Sequence, residues 1–357
     1  MTARARRSAA PRPTLHDVAR EAGVSARTVS RVLNEEPRIS AQTRQRVLAA
    51  VALLGFRPNV MARNMRVGAR DSAVGLVIPD LANPFFGTVA SGVEKLIRTR
   101  GLHLVIASSE EDPARERAIV TTLLERQVAG LIIVPSAGSD HSYLRGERRH
   151  GLPLVFLDRP PNNLAGDTVL SANFDGAVLA VSHLVRHGHT RVGFVGDIPS
   201  TLYTRRERLR GYRQALRVSG LPVDRTLLEQ GHHEDDAAEA MLRLLRSPDP
   251  PTAVFAANNL ACMGVTMALT RTHRRDVAVV GFDDFTLADL FEPGITVVAQ
   301  DAEQLGTSAA QLTLARLDGD RTRARTLALD TRLIVRGSGE VRPRGPALHA
   351  VPDHGCT

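Results

Sequence analysis

The chain has little sulfur: two cysteines in 357 residues, Cys262 inside an apolar stretch and Cys356 next to last. Two thiols so placed cannot make a disulfide framework, and they fit a reducing compartment. No apolar run approaches the ~18 residues of a membrane-spanning helix. Arg6-Arg7 is followed by Ser8-Ala9-Ala10-Pro11 and not by a hydrophobic segment, which argues against an export signal. A cytoplasmic chain with no membrane partner is the expectation. Enzyme signatures are missing too. There is no Gly-x-Ser-x-Gly elbow, no Walker loop and no Gly-x-Gly-x-x-Gly after a strand. The reading is therefore a non-enzyme with no cofactor. Lysine occurs once, at Lys95, a skew read as genome composition.

What the chain does have is arginine, concentrated at one end. Residues 1–70 hold 14 arginines and 4 acids, a net charge of +10, whereas the whole chain carries +8. The remaining four-fifths is thus slightly acidic. A basic module on a near-neutral body is the electrostatic footprint of a nucleic-acid binder.

Residues 1–13, rich in Arg, Ala and Pro, read as a disordered arm. From Thr14 the texture changes. Thr14 and Asp17 fit a capping box that opens a helix from Leu15 to Ala22, with Leu15, Val18 and Ala19 inward and Gly23 as its stop. Ser25 caps a second helix reaching Leu33, with Val29, Val32 and Leu33 inward. Two short helices around a tight glycine turn make a helix-turn-helix. Ser40 caps a third, with Val47, Leu48, Val51 and Leu54 on its buried face and Gly55 at its end. Val60 to Arg66 could form two helical turns, too few to be stable alone.

Beyond Ala73 the pattern alternates strand and helix. Strand-length apolar runs occur at Val74–Ile78, Leu104–Ala107, Leu131–Val134, Leu154–Leu157, Val192–Val195, Ala253–Ala256 and Val277–Gly281. Alternation of this kind gives parallel α/β sheets. About 270 residues is long for one sheet, so two similar subdomains are expected, with Asp158-Arg159-Pro160-Pro161 as the crossover. The end of the chain is polar and lacks leucine heptads, which fits a dimer better than a tetramer.

Thr14 to Arg66 resembles the DNA-binding headpiece of the LacI family of bacterial repressors. The likeness is carried by Thr14 to Ser25, by Thr28-Val29-Ser30-Arg31-Val32-Leu33-Asn34, by Thr43-Arg44 and by Gly55-Phe56-Arg57-Pro58-Asn59. It continues through Asp80-Leu81-Ala82-Asn83-Pro84-Phe85-Phe86, Leu157-Asp158-Arg159, Val254 to Asn258, Val280-Gly281-Phe282-Asp283-Asp284 and Thr296 to Gln300. The implied fold is an N-terminal all-α helix-turn-helix headpiece plus an α/β two-lobed core like a periplasmic binding protein. The expected division is a helix-turn-helix domain at 14–58, a hinge helix and linker at 59–70, a core at 71–338 and a disordered tail at 339–357. Within the core, lobe 1 covers about 71–159 and 303–325, and lobe 2 about 160–302 and 326–338.

The resemblance places base reading on Ala26, Arg27 and Arg31. Arginine can donate two hydrogen bonds to guanine. Ser25, Thr28, Ser30 and Asn34 suit phosphates. Asn59, Ala62 and Met65 fall on the hinge helix, with Met65 at the position of a leucine that wedges open a base step. The partners implied are a near-palindromic double-stranded DNA operator read by a homodimer and a small-molecule effector, sugar-like in chemistry. Effector contacts map to Asn83, Phe86, Asp158, Arg208, His233, Asn258, Asp283 and Gln300. Asn259 stands where the family commonly has an aspartate. Whether effector releases or promotes DNA binding stays open.

Three rivals are weaker. A transporter's solute-binding protein would lack residues 14–66. A ligand-independent DNA architect would leave the body unexplained. A sugar-acting enzyme lacks a nucleophile or acid pair. Metal is not expected at His232-His233-Glu234-Asp235-Asp236, where acids suit a helix N-terminus, nor at His187-Gly188-His189, a helix-end turn.

Overall fold

The computed structural model describes residues 13–33, 36–37, 39–56 and 72–343. The chain divides after residue 71 into two compact units. Asn34, Asn59, Ala62, Met65 and the whole hinge segment lie outside the described residues.

The first unit is helical: α1 (Leu15–Ala22), α2 (Ala26–Leu33) and α3 (Ala41–Leu54). The Thr14–Asp17 capping box forms in both directions, and Gly23 stops α1 in the left-handed conformation at φ 62°. Arg46 of α3 reaches back to donate to the carbonyls of Ala22 (2.5 Å) and Gly23 (3.2 Å). A side chain on Gly23 would meet that guanidinium as well as backbone strain. The inward face of α3 differs from the expected one: Val47 and Ala50 are buried, while Leu48 is half-exposed. Val18, Val29 and Val32 complete the small core.

The second unit is built on two six-stranded sheets. Lobe 1 contains β1 (Ala73–Ile78), α4 (Pro84–Arg98), β2 (His103–Ser108), α5 (Pro113–Glu125), β3 (Gly130–Ile133), α6 (Arg145–Arg149), β4 (Leu154–Leu157) and β5 (Asp167–Ser171). Lobe 2 contains α7 (Asn173–Arg186), β6 (Val192–Gly196), α8 (Tyr203–Val218), β7 (Leu228–Gln230), α9 (Glu234–Leu245), β8 (Ala253–Ala256), α10 (Asn259–Arg271), β9 (Ala278–Phe282) and β10 (Thr296–Ala299). The chain then returns to lobe 1 for α11 (Ala302–Leu317) and β11 (Thr326–Leu329), and ends in lobe 2 with β12 (Arg332–Ile334). The orders are β11-β5-β4-β3-β1-β2 and β12-β10-β9-β8-β6-β7. All pairs are parallel except β12 with β10. Each lobe thus repeats one doubly wound order, 2-1-3-4-5, with one strand added at the far edge.

Two expected boundaries need correction. The first crossover lies at Ala172, not at Asp158 to Pro161, because β5 pairs with β4 and stays in lobe 1. Likewise β11 pairs with β5, so residues 326–329 belong to lobe 1 and not lobe 2. Both segments are short, and β11 is largely exposed, so neither carries a long apolar run. The chain passes between lobes three times, near residues 172, 300–301 and 330–331. The expected disordered tail also begins too early, since residues 339–343 are placed. Val341 packs on the lobe 2 core, and its carbonyl meets the His189 ring at 2.7 Å.

The central strands β1, β3, β4, β8, β9 and β10 are buried along their whole length, as parallel strands covered on both faces must be. In lobe 1, α4 and α11 meet backbone to backbone. A Cβ on Gly92 would sit 2.2 Å from the Glu303 carbonyl, and one on Gly306 2.0 Å from the Val89 carbonyl. Cys262 is buried in lobe 2, and burial pushes its thiol up to about 12, which makes it an unreactive core residue.

Candidate functional site

The helix expected to read bases is α2. Val29 and Val32 are buried on one side, and the 3.6-residue period turns Arg27, Ser30 and Arg31 to the other. Ser25 is the N-cap: its hydroxyl accepts from Thr28 N–H at 3.1 Å and lies 2.9 Å from the Thr28 hydroxyl. Ala26 is half-buried. Arg27 is exposed and makes no side-chain hydrogen bond or ion pair among the described residues. Arg31 differs from it. Its Nε donates to Glu36 at 2.9 Å. That pair is solvent-exposed and worth about 0–1 kcal/mol, so a guanine edge or phosphate can displace it.

The second site lies beyond the carboxyl ends of the strands in the two-lobed unit, where open α/β sheets place ligands. Asp158 follows β4, Asp197 follows β6, Asn258 follows β8, Asp283 follows β9 and Gln300 follows β10. These residues face one another across a cleft that also includes Asn83, Phe86 and Arg208. Asp158 and Asp283 both sit at positive φ, 63° and 72°, at the strand ends. Their backbone N–H groups donate to Val169 and Val298, each at 2.8 Å.

Arg208 is the pivot of the lobe 2 wall. It is buried, donates Nε to Asn173 Oδ1 at 2.7 Å and Nη1 to the Ala257 carbonyl at 2.6 Å. Its guanidinium carbon stacks 3.8 Å over the Phe282 ring centre. Asp283 Oδ2 lies 3.6 Å from Nη1, and Gln300 donates to Asp283 Oδ1. Burial pushes the Asp283 carboxyl above its ordinary range, although Arg208 and Gln300 pull it down. Gln300 Oε1 is buried and has no protein partner. On lobe 1, Arg159 joins Glu111 at 2.7 Å and Asp158 at 3.4 Å. Asn83 and Asn259 bridge the lobes, with Asn259 Nδ2 donating to Asn83 Oδ1 at 2.8 Å.

The cleft is nearly shut. Its free volume is about 50 Å³, room for a few waters but well below the roughly 300 Å³ of small ligand pockets. Beside it, sharing Asn259, Asp283 and Gln300, is an open hollow of about 570 Å³ near the crossovers.

Of the expected effector contacts, His233 is not in the cleft. It caps the N-terminus of α9, where Asp236 accepts from the His232 and His233 backbone N–H groups at 3.3 Å each. Its neighbour His232 lines the cleft instead, 2.9 Å from Asp197, whose hydrogen bond raises the imidazole pKa. Asp197, Glu111, Arg159 and Asn173 were missed. Asp197 carried a usable signal, since it follows a buried strand just as Asp158 does. Asn173 did not, because its role depends on Arg208 from a different helix.

Residues 14–59 match the lacI family of bacterial regulatory proteins, and residues 181–339 match the periplasmic binding protein-like domain. The HTH-type transcriptional repressor PurR of Mannheimia succiniciproducens is 31% identical over 329 residues, which is 91% of this chain and 98% of that protein. The chain belongs to the LacI family. Among solved structures, a transcriptional regulator CelR–cellobiose complex is 33% identical, covers 92% of this chain and 100% of its own, and has a TM-score of 0.68. The lac repressor dimer bound to operator and the anti-inducer ONPF is 26% identical with a TM-score of 0.77, over 92% of this chain and 99% of that one. This LacI-family protein is a DNA-binding transcriptional regulator and not an enzyme. No helix among its described residues is long and apolar enough to cross a membrane.

Proposed function

We propose that this regulator is a repressor that binds a near-palindromic operator as a homodimer and is controlled by a sugar or sugar-like polyol in the cleft. The observation that carries the effector half is the convergence of Asp158, Asp283, Asn258 and Arg208 beyond the strand ends, with Gln300 Oε1 left unpartnered. Carboxylates accept from hydroxyls while guanidinium and amide groups donate to them, so adjacent hydroxyls of one sugar ring satisfy both kinds of group. Phe86 offers an apolar surface for a ring face. The cellobiose held by one similar structure supports the same chemistry.

Ala26, Arg27 and Arg31 read base edges in this proposal. Ser25, Thr28, Ser30 and Asn34 meet phosphates, and Asn59, Ala62 and Met65 act from the hinge. The dimer is supported by exposed apolar side chains in both lobes: Val105 and Ile106 on β2, and Leu287, Leu290 and Phe291 after β9. Effector entry requires the lobes to part, since the cleft has no room for a sugar. The three crossovers near residues 172, 300–301 and 330–331 are where such a motion would turn. Coupling of ~1–3 kcal/mol between cleft and headpiece suffices for a switch.

The test is selection of genomic fragments by the full-length protein, with its association state measured by sedimentation. Enrichment of one inverted repeat by a dimer supports the proposal. A monomer, or a directly repeated or asymmetric motif, would sink the symmetric part of it.

A further inference from the structure

We propose that His183, His187 and Glu340 form a zinc-binding site that fastens the segment after β12 to the C-terminal end of α7. One ligating atom from each residue lies within 4.8 Å of those from the other two. His183 and His187 are one helical turn apart on α7, so their rings share a face, with centres 4.5 Å apart. Glu340 arrives from the chain end and meets His183 Nε2 directly.

The surroundings orient these groups as a metal site requires. His187 Nδ1 lies 2.9 Å from the His183 carbonyl, which can only accept, so Nδ1 carries the proton and Nε2 keeps its lone pair. A histidine ligand whose other nitrogen donates to a backbone carbonyl is the usual second support of a metal. Glu340 Oε2 accepts from the Thr296 hydroxyl at 3.0 Å, which fixes the carboxylate while leaving Oε1 toward the rings. His183 is buried, and Gly339 leaves the space its ring needs: a Cβ there would be 3.2 Å from Nε2. His187 and Glu340 are half-exposed, so an ion can enter from solvent.

Two imidazoles and a carboxylate suit Zn2+, with water in the fourth position. Ligand atoms on tetrahedral zinc stand about 3.3 Å apart, so side-chain rotation must even out this set, separating His183 from Glu340 and bringing His187 into step with both. The site is at the opposite end of lobe 2 from the cleft. Thr296 begins β10, whereas Gln300 follows its other end, and Asn173, beside Arg208, begins the helix that His187 ends. The role assigned is therefore a staple of lobe 2 and not part of effector recognition. His189, the nearer candidate along the sequence, is used elsewhere, by Thr252 and the Val341 carbonyl.

The full-length protein, stripped with chelator, is titrated with ZnCl2 by calorimetry, with Co2+ as a spectroscopic substitute. One equivalent should bind, give the visible bands of tetrahedral Co2+ and raise the melting temperature. His187→Ala and Glu340→Gln remove half-exposed groups and should stay folded by circular dichroism. Each should weaken binding by about tenfold or more and remove the thermal gain. Asp236→Asn, beside the other histidine pair, should leave zinc affinity unchanged. No zinc uptake by the wild-type protein, or undiminished binding in either His187→Ala or Glu340→Gln, overturns the site.

Discussion

Asp283→Asn separates what the cleft does for stability from what it does for the effector. The carboxylate is buried 3.6 Å from Arg208. At an effective dielectric near 20, such a separation gives a gross attraction of about 4–5 kcal/mol. Desolvation of a buried carboxylate costs several kcal/mol in the opposite direction. Its raised pKa, caused first by burial, says that desolvation wins. The sign then follows. An acid whose folded pKa lies above its unfolded value of 3.8 is held more comfortably protonated, so stability is lost as pH rises from the unfolded value through the folded one. Asparagine imitates the protonated form. Arg208 keeps Asn173, the Ala257 carbonyl and the Phe282 face. Gln300 can turn its amide so that Oε1, now unpartnered, accepts from the new amide.

The variant should therefore be at least as stable as the parent at neutral pH, and its relative advantage should grow as pH rises. Effector affinity should fall by about 10- to 150-fold, the loss of one charged hydrogen bond of about 1.5–3 kcal/mol. Operator affinity without effector should be unchanged. Urea unfolding from about pH 4 to about pH 8 reads the first result. Release or tightening of labelled operator against a panel of pentoses, hexoses and disaccharides reads the second. A variant that is less stable at neutral pH by a margin independent of pH would make Asp283 a net-stabilising ion-pair partner and refute the electrostatic reasoning. An unchanged dose response would remove Asp283 from the effector site.

Two further outcomes are expected. Arg27→Ala should cost about 1–3 kcal/mol of operator affinity and relax preference at one base pair per half-site. An equal loss on every sequence, seen in binding to a mismatch series, would reassign Arg27 to a phosphate. Gly306→Ala places a Cβ against the Val89 carbonyl of α4 and should destabilise lobe 1 by about 1–3 kcal/mol or more. Urea unfolding within error of the parent would show that α4 and α11 separate at little cost.

The headpiece was legible because its signals are local. A capping box at Thr14, left-handed stops at Gly23 and Gly55, and apolar residues at helical spacing are each written within one turn of chain. Most strands visible in the sequence are buried ones, whose continuous apolar runs follow from cover on both faces; β2 shows such a run although half-exposed, and the buried β5 and β10 are too short or too polar to show one. Edge and crossover strands such as β7, β11 and β12 escaped because half-exposed strands need no such run. The lobe boundary was misplaced for the same kind of reason: nothing in Asp167–Ser171 says which sheet it joins, and only pairing with β4 decides it.

The cleft divides in the same way. Asp158, Asn258 and Asp283 could be named from sequence because each closely follows a buried strand, whereas Gln300 rested on the family resemblance. Which of two adjacent histidines faces the cleft was decided by the α9 cap, which takes His233 and leaves His232 to Asp197. The buried pairing of Arg208 with Asn173 joins residues 35 positions apart, and the meeting of His183 with Glu340 spans 157. Sequence alone determined the helices, the repeated α/β plan and the strand-end polar groups, since these depend on neighbours along the chain. Tertiary structure decided the partners of Arg208, His232, His183 and Glu340, because a polar side chain's role depends on what folding sets opposite it.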